Sequence, residues 1–268
     1  MSKRIVILGS KGMLGQTVSK YFSLDNEIIP FDKRYSPYER QEFLTMLNAL
    51  EPEVIINCIG KIKQKTSKFE DLFVANSLLP LELNAAFTDT VIIHPSTDCV
   101  FSGEQNDTYG VLDFPNAHDD YGISKIYGEL SGISRAKTFI LRTSIIGLTR
   151  GYKSEGLLDW FMRQKNTTTI SGFTNHLWNG ITTLEWCRLA QSIILGTLPA
   201  SQNGIIQVGA HKAISKYELL MCANEIFSKN IDIKPFAAPS SVSRVLEPEV
   251  RIDSVSSQLK RYWDWLNF

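Results

Sequence analysis

The first half of the chain alternates short aliphatic runs with segments whose apolar positions recur at helical spacing. The runs predict strands at Arg4–Leu8, Glu27–Phe31, Val54–Ile56, Val91–Ile93 and Phe139–Leu141. The segments between them predict helices at Met13–Phe22, around Phe43–Leu50, at Phe69–Ala86 and at Tyr121–Arg135. Because the strands are apolar throughout and alternate with helices, the pattern indicates an α/β protein. We expect a doubly wound parallel sheet with helices on both faces.

Beyond about residue 145 the periodicity is looser. Helices are predicted at Leu157–Lys165, Leu184–Leu195, Lys216–Phe227 and Val255–Trp265, and strands at Ile205–Val208 and, as the final strand, Asp232–Pro235. We therefore expect a first domain over residues 1–150 and a smaller part over residues 151–268 that is interleaved with it. Ser102 to Asp120 form a long polar loop, and long loops within compact domains are often functional.

Composition narrows the class of protein. The chain has 268 residues, with 28 lysines and arginines against 28 acidic residues, so a nucleic-acid binder that works through bulk positive charge is excluded. No run approaches the roughly 18 apolar residues that a membrane span needs, and the apolar run at the amino terminus is too short for a signal peptide. The four cysteines are scattered, and no histidine lies at a zinc-like spacing from any of them. We expect a cytoplasmic protein with no metal site.

A glycine motif lies between the first strand and the first helix. Gly9, Gly12 and Gly15 form the pattern GxxGxxG. Glycines at this turn permit a tight bend, close approach of the backbone to a pyrophosphate and close packing of the helix on the sheet. The helix N-terminus also offers free N–H groups to phosphates. The motif in this context predicts a Rossmann-like domain that binds a dinucleotide.

The residues after the second strand bear on the choice of dinucleotide. Asp32 follows Gly9 by 23 residues, near the offset of a carboxylate that binds the adenine ribose of NAD. Lys33 and Arg34 come next, and two cations there suit the 2′-phosphate of NADP. The two signals conflict, so the sequence leaves both NADH and NADPH open.

A tyrosine and a lysine are spaced for chemistry between the fourth and fifth strands. Tyr121 and Lys125 are four residues apart, which places them on one face of the predicted helix. An ammonium beside a phenol lowers the pKa of the phenol, and such a tyrosine can deliver a proton to a carbonyl oxygen. Thr97 directly follows the fourth strand, at the sheet edge where open α/β sheets bind ligands.

The order of these motifs resembles a known family. GxxGxxG, then the segment Ser96–Phe101, then YxxxK followed by Gly-Glu is similar to the extended short-chain dehydrogenases/reductases, and most similar to their dTDP-4-dehydrorhamnose reductase type. Further similar segments are Pro52–Asn57, Val74–Asn76 and Leu141–Ser144. The resemblance is strong over residues 1–147 and looser beyond them.

The resemblance implies roles for particular residues. Thr97, Tyr121 and Lys125 correspond to a catalytic triad, in which Tyr121 is the general acid, Lys125 binds the nicotinamide ribose and Thr97 polarises the keto oxygen. The implied cofactor-binding residues are those of the glycine turn, those after the second strand, those after the third, and the tyrosine and lysine of the triad: Gly9, Lys11, Gly12, Met13, Leu14, Gly15, Asp32, Lys33, Cys58, Ile59, Gly60, Tyr121 and Lys125.

A substrate site is expected from two further regions. The segment from Gly172 to Gly180 is polar and aromatic, and Arg251 suits a substrate diphosphate. The expected substrate-binding residues are Thr97, Cys99, Val100, Phe101, Ser144, His176, Trp178 and Arg251. Cys99 stands where the family usually has tyrosine, and Ile145 where an aromatic residue is common, so the sugar pocket departs from the family pattern.

The resemblance thus implies NAD(P)H-dependent reduction of a keto group, at C4, on a nucleotide-activated deoxysugar. Two alternatives stay open: an epimerase or dehydratase on the same scaffold, and a non-catalytic nucleotide-binding regulatory subunit. The expected partner is the nucleotide sugar, with neither nucleic acid nor membrane, and a homodimer is allowed.

Overall fold

The strands of the first half follow the predicted order, and the second half contains more strands than the two predicted there. A computed structural model describes residues 2–64, 66, 68–104, 107–133, 136–151, 156–198 and 204–267. Its strands in chain order are Arg4–Leu8 (β1), Glu27–Phe31 (β2), Val54–Asn57 (β3), Val91–Ser96 (β4), Thr138–Arg142 (β5), Ile145–Ile146 (β6), Thr169–Phe173 (β7), His176–Trp178 (β8), Ile181–Thr182 (β9), Ile205–Ala210 (β10), Ile214–Ser215 (β11), Asp232–Phe236 (β12), Val242–Ser243 (β13) and Val250–Ile252 (β14).

The helices pack on the central sheet and on the smaller sheets of the second half. In chain order they are Met13–Phe22 (α1), Arg40–Asn48 (α2), Phe69–Phe73 (α3), Leu79–Ala86 (α4), Asp120–Glu129 (α5), Leu157–Arg163 (α6), Thr183–Ile194 (α7), Lys216–Ile226 (α8) and Val255–Leu266 (α9). None of the helices in the described part of the chain has both the length and the hydropathy that a bilayer crossing needs.

The central sheet has seven strands in the order β2-β1-β3-β4-β5-β10-β14, and every neighbouring pair is parallel. The predicted doubly wound parallel sheet is confirmed. After β1 the chain adds β2 on one side and then returns to add β3 on the other. Open α/β sheets bind ligands at such a switch point, outside the carboxyl ends of the two strands.

Alternate side chains of β1 belong to two different cores. Ile5 and Ile7 pack in a cluster with residues of α1 and α7, whereas Val6 and Leu8 pack in a cluster with residues of α2 and α4. Successive side chains of a strand point to opposite faces, so a strand that is apolar at every position needs helices on both faces. This burial explains why β1 reads as a continuous apolar run.

The second half completes the central sheet and adds a second core. β10 and β14 extend the sheet beyond β5. β7 pairs with β12, and β8 pairs with β11 and β13. The division into residues 1–150 and 151–268 stays a prediction. The expectation that Asp232–Pro235 is the last strand is wrong, because β13 and β14 follow it.

Two predicted helices differ from the observed ones. The single helix predicted over Phe69–Ala86 is interrupted by a π-helical turn, Val74–Leu78, between α3 and α4. The helix predicted over Tyr121–Arg135 ends at Glu129 and continues as a short 3-10 turn, Leu130–Gly132. Residues 134–135 lie outside the described residues. π-helical turns often occur at functional sites, and this one holds Asn76.

Candidate active site

The glycine turn forms a backbone cradle at the carboxyl end of β1. Gly9 has a φ of +72°, which favours glycine, and a Cβ atom there would lie 3.0 Å from the Ile59 side chain. A Cβ on Gly15 would lie 2.1 Å from the Gly9 carbonyl oxygen, so only glycine lets α1 pack this closely. A Cβ on Gly12, the N-cap of α1, would meet only the same oxygen, at 3.6 Å. Gly12 therefore faces open space above the helix N-terminus.

A cavity of about 500 Å³ opens beside this turn. Lys11 and Asp32, both predicted cofactor residues, line this cavity and form an ion pair, with the Lys11 ammonium 2.8 Å from an Asp32 carboxylate oxygen. The hydrogen bond from Lys11 lowers the pKa of Asp32, so this carboxylate stays ionised. The residues lining the cavity are Gly9, Lys11, Gly12, Phe31, Asp32, Lys33, Arg34, Tyr35, Ser36, Pro37, Ile59, Lys61, Glu70, Asp71, Val74, Ala75 and Leu79.

Lys33 lines the cavity but is already paired. Its ammonium lies 2.6 Å from a Glu42 carboxylate oxygen and 3.6 Å from a Glu39 oxygen. The hydrogen bond to Glu42 raises the pKa of Lys33. Arg34 is exposed, and within the described ranges it forms no ion pair. Of the two predicted cations, Arg34 is therefore the one whose charge is not already matched by a carboxylate.

Asn76 fixes the loop after β3, where three further cofactor residues were predicted. Its side-chain oxygen accepts from the Lys61 N–H at 2.9 Å, and its amide donates to the Lys61 carbonyl at 2.9 Å and to Ser124 at 3.0 Å. A Cβ on Gly60 would lie 3.5 Å from the Asn76 amide oxygen and 3.9 Å from the Lys125 ammonium. This part of the loop thus connects the cofactor cavity with the predicted triad.

The other two residues of that loop have separate positions. Ile59 lines the cavity, and its side chain lies 3.0 Å from the position that a Cβ on Gly9 would take. Cys58 packs against the core on the α1 side of the sheet, and burial raises its thiol pKa. Met13 and Leu14 begin α1, and the Leu14 side chain is buried in the same core. The buried Leu14 side chain is therefore turned into the core, whereas Cys58 is half-buried.

The structure brings Thr97, Tyr121 and Lys125 together at the carboxyl end of β4. The Thr97 hydroxyl donates to Asp98 at 3.0 Å and accepts from the Cys99 N–H at 3.1 Å. The Thr97 side chain also lies close enough to Tyr121 for a hydrogen bond to stabilise the tyrosinate form. The Lys125 ammonium donates to the Pro95 carbonyl at 3.0 Å. Three groups predicted from two motifs thus share one site, in which Thr97 and Lys125 are buried and Tyr121 is half-buried.

Burial determines the protonation of this site. Desolvation raises the pKa of Tyr121 well above its usual value, with Cys99 and Asp98 contributing in the same direction. Desolvation also lowers the pKa of Lys125 to about 8, although Glu129 opposes that shift. The expected lowering of the Tyr121 pKa by Lys125 is therefore not what this structure gives. The phenol is held in its protonated form, which is the form a proton donor needs.

A buried ion pair supports the strands and helix that carry the triad. Arg142 on β5 donates to both carboxylate oxygens of Glu129 on α5, at 2.8 and 2.7 Å, and Ser96 donates to Glu129 at 2.6 Å. Arg142 also donates to the Gln207 side chain at 3.1 Å. These bonds join the ends of β4 and β5, and the middle of β10, to the helix that carries Tyr121.

Two cationic residues near Cys99, Lys216 and Arg244, were not predicted from the sequence as site residues. The Lys216 ammonium, on the first residue of α8, lies 4.9 Å from the centre of the Trp178 ring. Burial lowers the Lys216 pKa to about 8, and Asp98 and Cys99 are near enough to oppose the shift. Arg244 donates to the Phe101 carbonyl at 2.8 Å and to the Ser102 carbonyl at 3.0 Å. Within the described residues, Lys216 has no ion pair and no hydrogen bond.

The other predicted substrate residues divide into buried and peripheral ones. Val100 and Phe101 are fully buried with Tyr109, so their side chains do not face an open cavity, and their place in the substrate site stays a prediction. Phe101 stacks on the Tyr109 ring at 4.2 Å, which explains why the apolar residues after β4 turn away from the site.

Three more predicted substrate residues lie in supporting elements. The His176 ring stacks on Phe173 at 4.4 Å within the small sheet of β8. The Ser144 carbonyl accepts from the Ile181 N–H at 2.8 Å. Arg251 is exposed on the edge strand β14. Of the cations and aromatic residues predicted for the substrate, only Trp178 lies beside Lys216, and it is buried.

A parallel α/β fold, a glycine turn at its switch point and a Thr–Tyr–Lys cluster define a dinucleotide-binding protein of the short-chain dehydrogenase/reductase class. A model of the family described as the RmlD substrate binding domain matches residues 3–169. The chain belongs to this family, and the resemblance stated from the sequence is confirmed.

Three known proteins illustrate the similarity. Methionine adenosyltransferase 2 subunit beta from Danio rerio is 29% identical over 142 residues, covering 47% of this chain and 42% of that protein. dTDP-4-dehydrorhamnose reductase from Aggregatibacter actinomycetemcomitans is 28% identical over 150 residues, covering 53% and 51%. The crystal structure of dTDP-4-dehydrorhamnose reductase from Bacillus anthracis in complex with NADP superposes with a TM-score of 0.82 at 19% identity, covering 99% and 100%. The chain spans about half the length of the two curated relatives.

Proposed function

We propose that this chain is an NAD(P)H-dependent oxidoreductase that reduces a keto group, at C4, of a nucleotide-activated deoxysugar. One observation carries the proposal: Thr97, Tyr121 and Lys125 converge next to a cavity at the switch point of the sheet. The similar reductase from Aggregatibacter and the Bacillus anthracis structure with NADP support the same class of reaction.

The residues present fit a nicotinamide dinucleotide. The open space over Gly12 admits a pyrophosphate at the N-terminus of α1, where backbone N–H groups and the helix dipole favour anions. The cavity beside Asp32 and Arg34 would take the adenosine part. When bound, the nicotinamide supplies the hydride for reduction of the carbonyl carbon. Lys125, 3.9 Å from the position of a Cβ on Gly60, is placed to bind a ribose hydroxyl.

The protein's own residues would supply the proton that the keto oxygen needs during reduction. Tyr121 is protonated because burial raises its pKa, so it can donate to the keto oxygen as negative charge develops there. Thr97 would turn its hydroxyl from Asp98 to the same oxygen and help to hold it.

The substrate's diphosphate requires cations that are not already paired. The Lys216 side chain is half-buried near Asp98 and Cys99 and its ammonium has no ion pair in the described part of the chain, and Arg244 lies on the same side. We assign the diphosphate to these two residues instead of to Arg251, which is exposed on the edge strand. Trp178 and Cys99 would border the sugar, so the family's usual tyrosine contact is replaced by a smaller thiol.

A second candidate is a non-catalytic nucleotide-binding subunit. One relative is the beta subunit of methionine adenosyltransferase 2. In this structure the Thr97 hydroxyl donates a hydrogen bond to Asp98 and the Lys125 ammonium donates one to the Pro95 carbonyl, so both donors already have partners within the protein. Both candidates need the dinucleotide cavity, and only the first needs turnover.

The test is to mix the protein with NADPH or NADH and a dTDP-4-keto-6-deoxyhexose, and to follow the absorbance of the reduced nicotinamide. The proposal expects substrate-dependent loss of that absorbance and a reduced sugar product. Tight cofactor binding without turnover on dTDP-, UDP- and GDP-linked keto sugars would favour the subunit instead. An epimerase would give an isomerised sugar without net consumption of the reduced cofactor.

A further inference from the structure

Two glutamates hold a lysine of the cofactor cavity from outside that cavity. Glu39 ends a short 3-10 turn, and Glu42 lies in the first turn of α2. The Lys33 ammonium is 2.6 Å from a Glu42 carboxylate oxygen and 3.6 Å from a Glu39 oxygen. Lys33 lines the cavity, whereas neither glutamate does. A cation of the cavity wall is therefore bound by two carboxylates that lie behind it.

This arrangement balances the charge of Lys33 before any cofactor arrives. The hydrogen bond to Glu42 raises the pKa of Lys33, so the ammonium stays charged near neutral pH. Only 21% of the Lys33 side chain is exposed, against 60% for Glu42 and 57% for Glu39. Because two negative charges lie within 4 Å of the ammonium, an anion in the cavity is attracted to it less strongly than to an unpaired cation.

The charges beside Lys33 define what an adenosine would meet at this end of the cavity. The Asp32 carboxylate pairs with Lys11 at 2.8 Å and accepts from the Ser10 hydroxyl at 3.2 Å. Arg34 is exposed and has no ion pair in the described ranges. At this position of the fold, a carboxylate binds the ribose 2′-hydroxyl of NAD, and a neighbouring cation accommodates the 2′-phosphate of NADP. Asp32 therefore suits NADH and Arg34 suits NADPH.

We propose that Glu39 and Glu42 set the cofactor preference by binding Lys33 and keeping it from the 2′-phosphate of NADPH, so that the protein accepts both NADPH and NADH. With Lys33 held, the 2′-phosphate has Arg34 as its counterion and lacks a second cation. The Asp32 carboxylate stays ionised for the 2′-hydroxyl of NADH. This inference rests on the proposed function, because it concerns the dinucleotide that the reductase would use.

The test compares NADPH and NADH binding in the wild type and in the double variant Glu39→Gln/Glu42→Gln. Glutamine keeps the side-chain shape and removes the charge, and both positions are exposed, so the fold should be retained in circular dichroism. Calorimetry is carried out at one ionic strength, because salt screens exposed charges. The wild-type affinities should lie within about tenfold of each other. The double variant should bind NADPH about fivefold more tightly, with NADH affinity changed less than about twofold.

A third substitution shows whether the two glutamates act through Lys33. Adding Lys33→Ala to the double variant should remove the gain in NADPH affinity, because the released ammonium is then absent. A gain that persists without Lys33 would mean that the glutamates repel the phosphate directly, and it would overturn the inference. Glu53→Gln is the matched control, since Glu53 forms a similar exposed pair with Lys3, at 2.8 Å, near the amino end of β1. It should leave both affinities unchanged.

The outcomes separate this inference from the proposed function. If both cofactors bind and the double variant keeps the wild-type ratio of NADPH to NADH affinity, the inference is overturned while the reductase proposal stands. If the wild type binds neither cofactor, the dinucleotide site itself is wrong, and both proposals are overturned.

Discussion

The Lys216 ammonium lies 4.9 Å from the centre of the Trp178 ring, in a half-buried position where it has no ion pair within the described residues. An ammonium that is partly withdrawn from water is stabilised by an anion, and the proposed substrate brings a diphosphate. We expect Lys216→Met to raise KM for the nucleotide sugar about tenfold or more, with NADPH affinity unchanged. Steady-state kinetics and a separate cofactor titration measure the two effects.

The same residue predicts a pH dependence. Burial lowers the Lys216 pKa to about 8, so its positive charge is present below that pH and is lost above it. KM for the nucleotide sugar should therefore rise as the pH increases through about 8, and this rise should be smaller in Lys216→Met. Lys212→Met, at an exposed position in the preceding turn, is the control. A KM that is insensitive to Lys216→Met at every pH argues against the assignment.

Gly12 gives a prediction about cofactor binding alone. Gly12→Val should abolish dinucleotide binding and leave the fold intact, because its Cβ would meet only the Gly9 oxygen at 3.6 Å while the rest of the side chain fills the anion cradle. Gly110→Val is a matched control, since a Cβ there has its nearest neighbour, Asp113, also at 3.6 Å. Calorimetry with NADPH and circular dichroism report the two properties. Unchanged NADPH affinity in a folded Gly12→Val protein would show that the cradle is not used.

Lys33→Ala and Arg34→Ala should differ in how much they change the ratio of NADPH to NADH affinity. Lys33 is already paired with Glu42 and Glu39, so Lys33→Ala should change the ratio of NADPH to NADH affinity little. Arg34→Ala should weaken NADPH about tenfold relative to NADH, because the 2′-phosphate loses its counterion. Fluorescence titration of each variant with both cofactors measures the ratio. If Lys33→Ala has the larger effect, Lys33 leaves its glutamates when cofactor binds.

The buried pair of Arg142 and Glu129 predicts an effect on stability. Arg142→Met leaves the Glu129 carboxylate buried without its two guanidinium bonds, and should lower the free energy of unfolding by about 3 kcal/mol or more. Asp89→Asn removes the exposed partner of Lys137, which is a surface pair, and should cause no measurable change. Urea denaturation of both variants tests the contrast, and equal stability would mean that the pair has a role other than folding.

Local sequence patterns predicted the strands, the glycine turn and the helix spacing on which this site is built. β1 to β5, the glycine turn and the spacing of Tyr121 and Lys125 depend on periodicity and on contacts between neighbouring elements, which sequence shows directly. The position of Thr97 followed from its place after β4, since the carboxyl ends of parallel strands meet at one edge. These features account for the cofactor side of the site.

The substrate side depends on contacts between distant segments. Lys216 is 119 residues after Thr97, and only the packing of α8 brings it near Cys99. Val100 and Phe101 are apolar residues, but the sequence alone does not indicate that they are buried against Tyr109. The π-helical turn at Asn76 interrupts a continuous helical pattern, so periodicity predicted one unbroken helix. Burial likewise reversed the expected pKa shift of Tyr121, because spacing alone does not reveal desolvation.

The most direct test of the reductase proposal is the turnover of Tyr121→Phe with its nucleotide-sugar substrate and NADPH. The substitution removes the proton donor and keeps the ring, so kcat should fall by about two orders of magnitude while cofactor affinity changes little. Tyr127→Phe, on the same helix with its side chain exposed, is the matched control and should keep wild-type kcat. Near-native kcat in Tyr121→Phe would contradict the account, because Tyr121 would then be a packing residue and the proton would come from elsewhere.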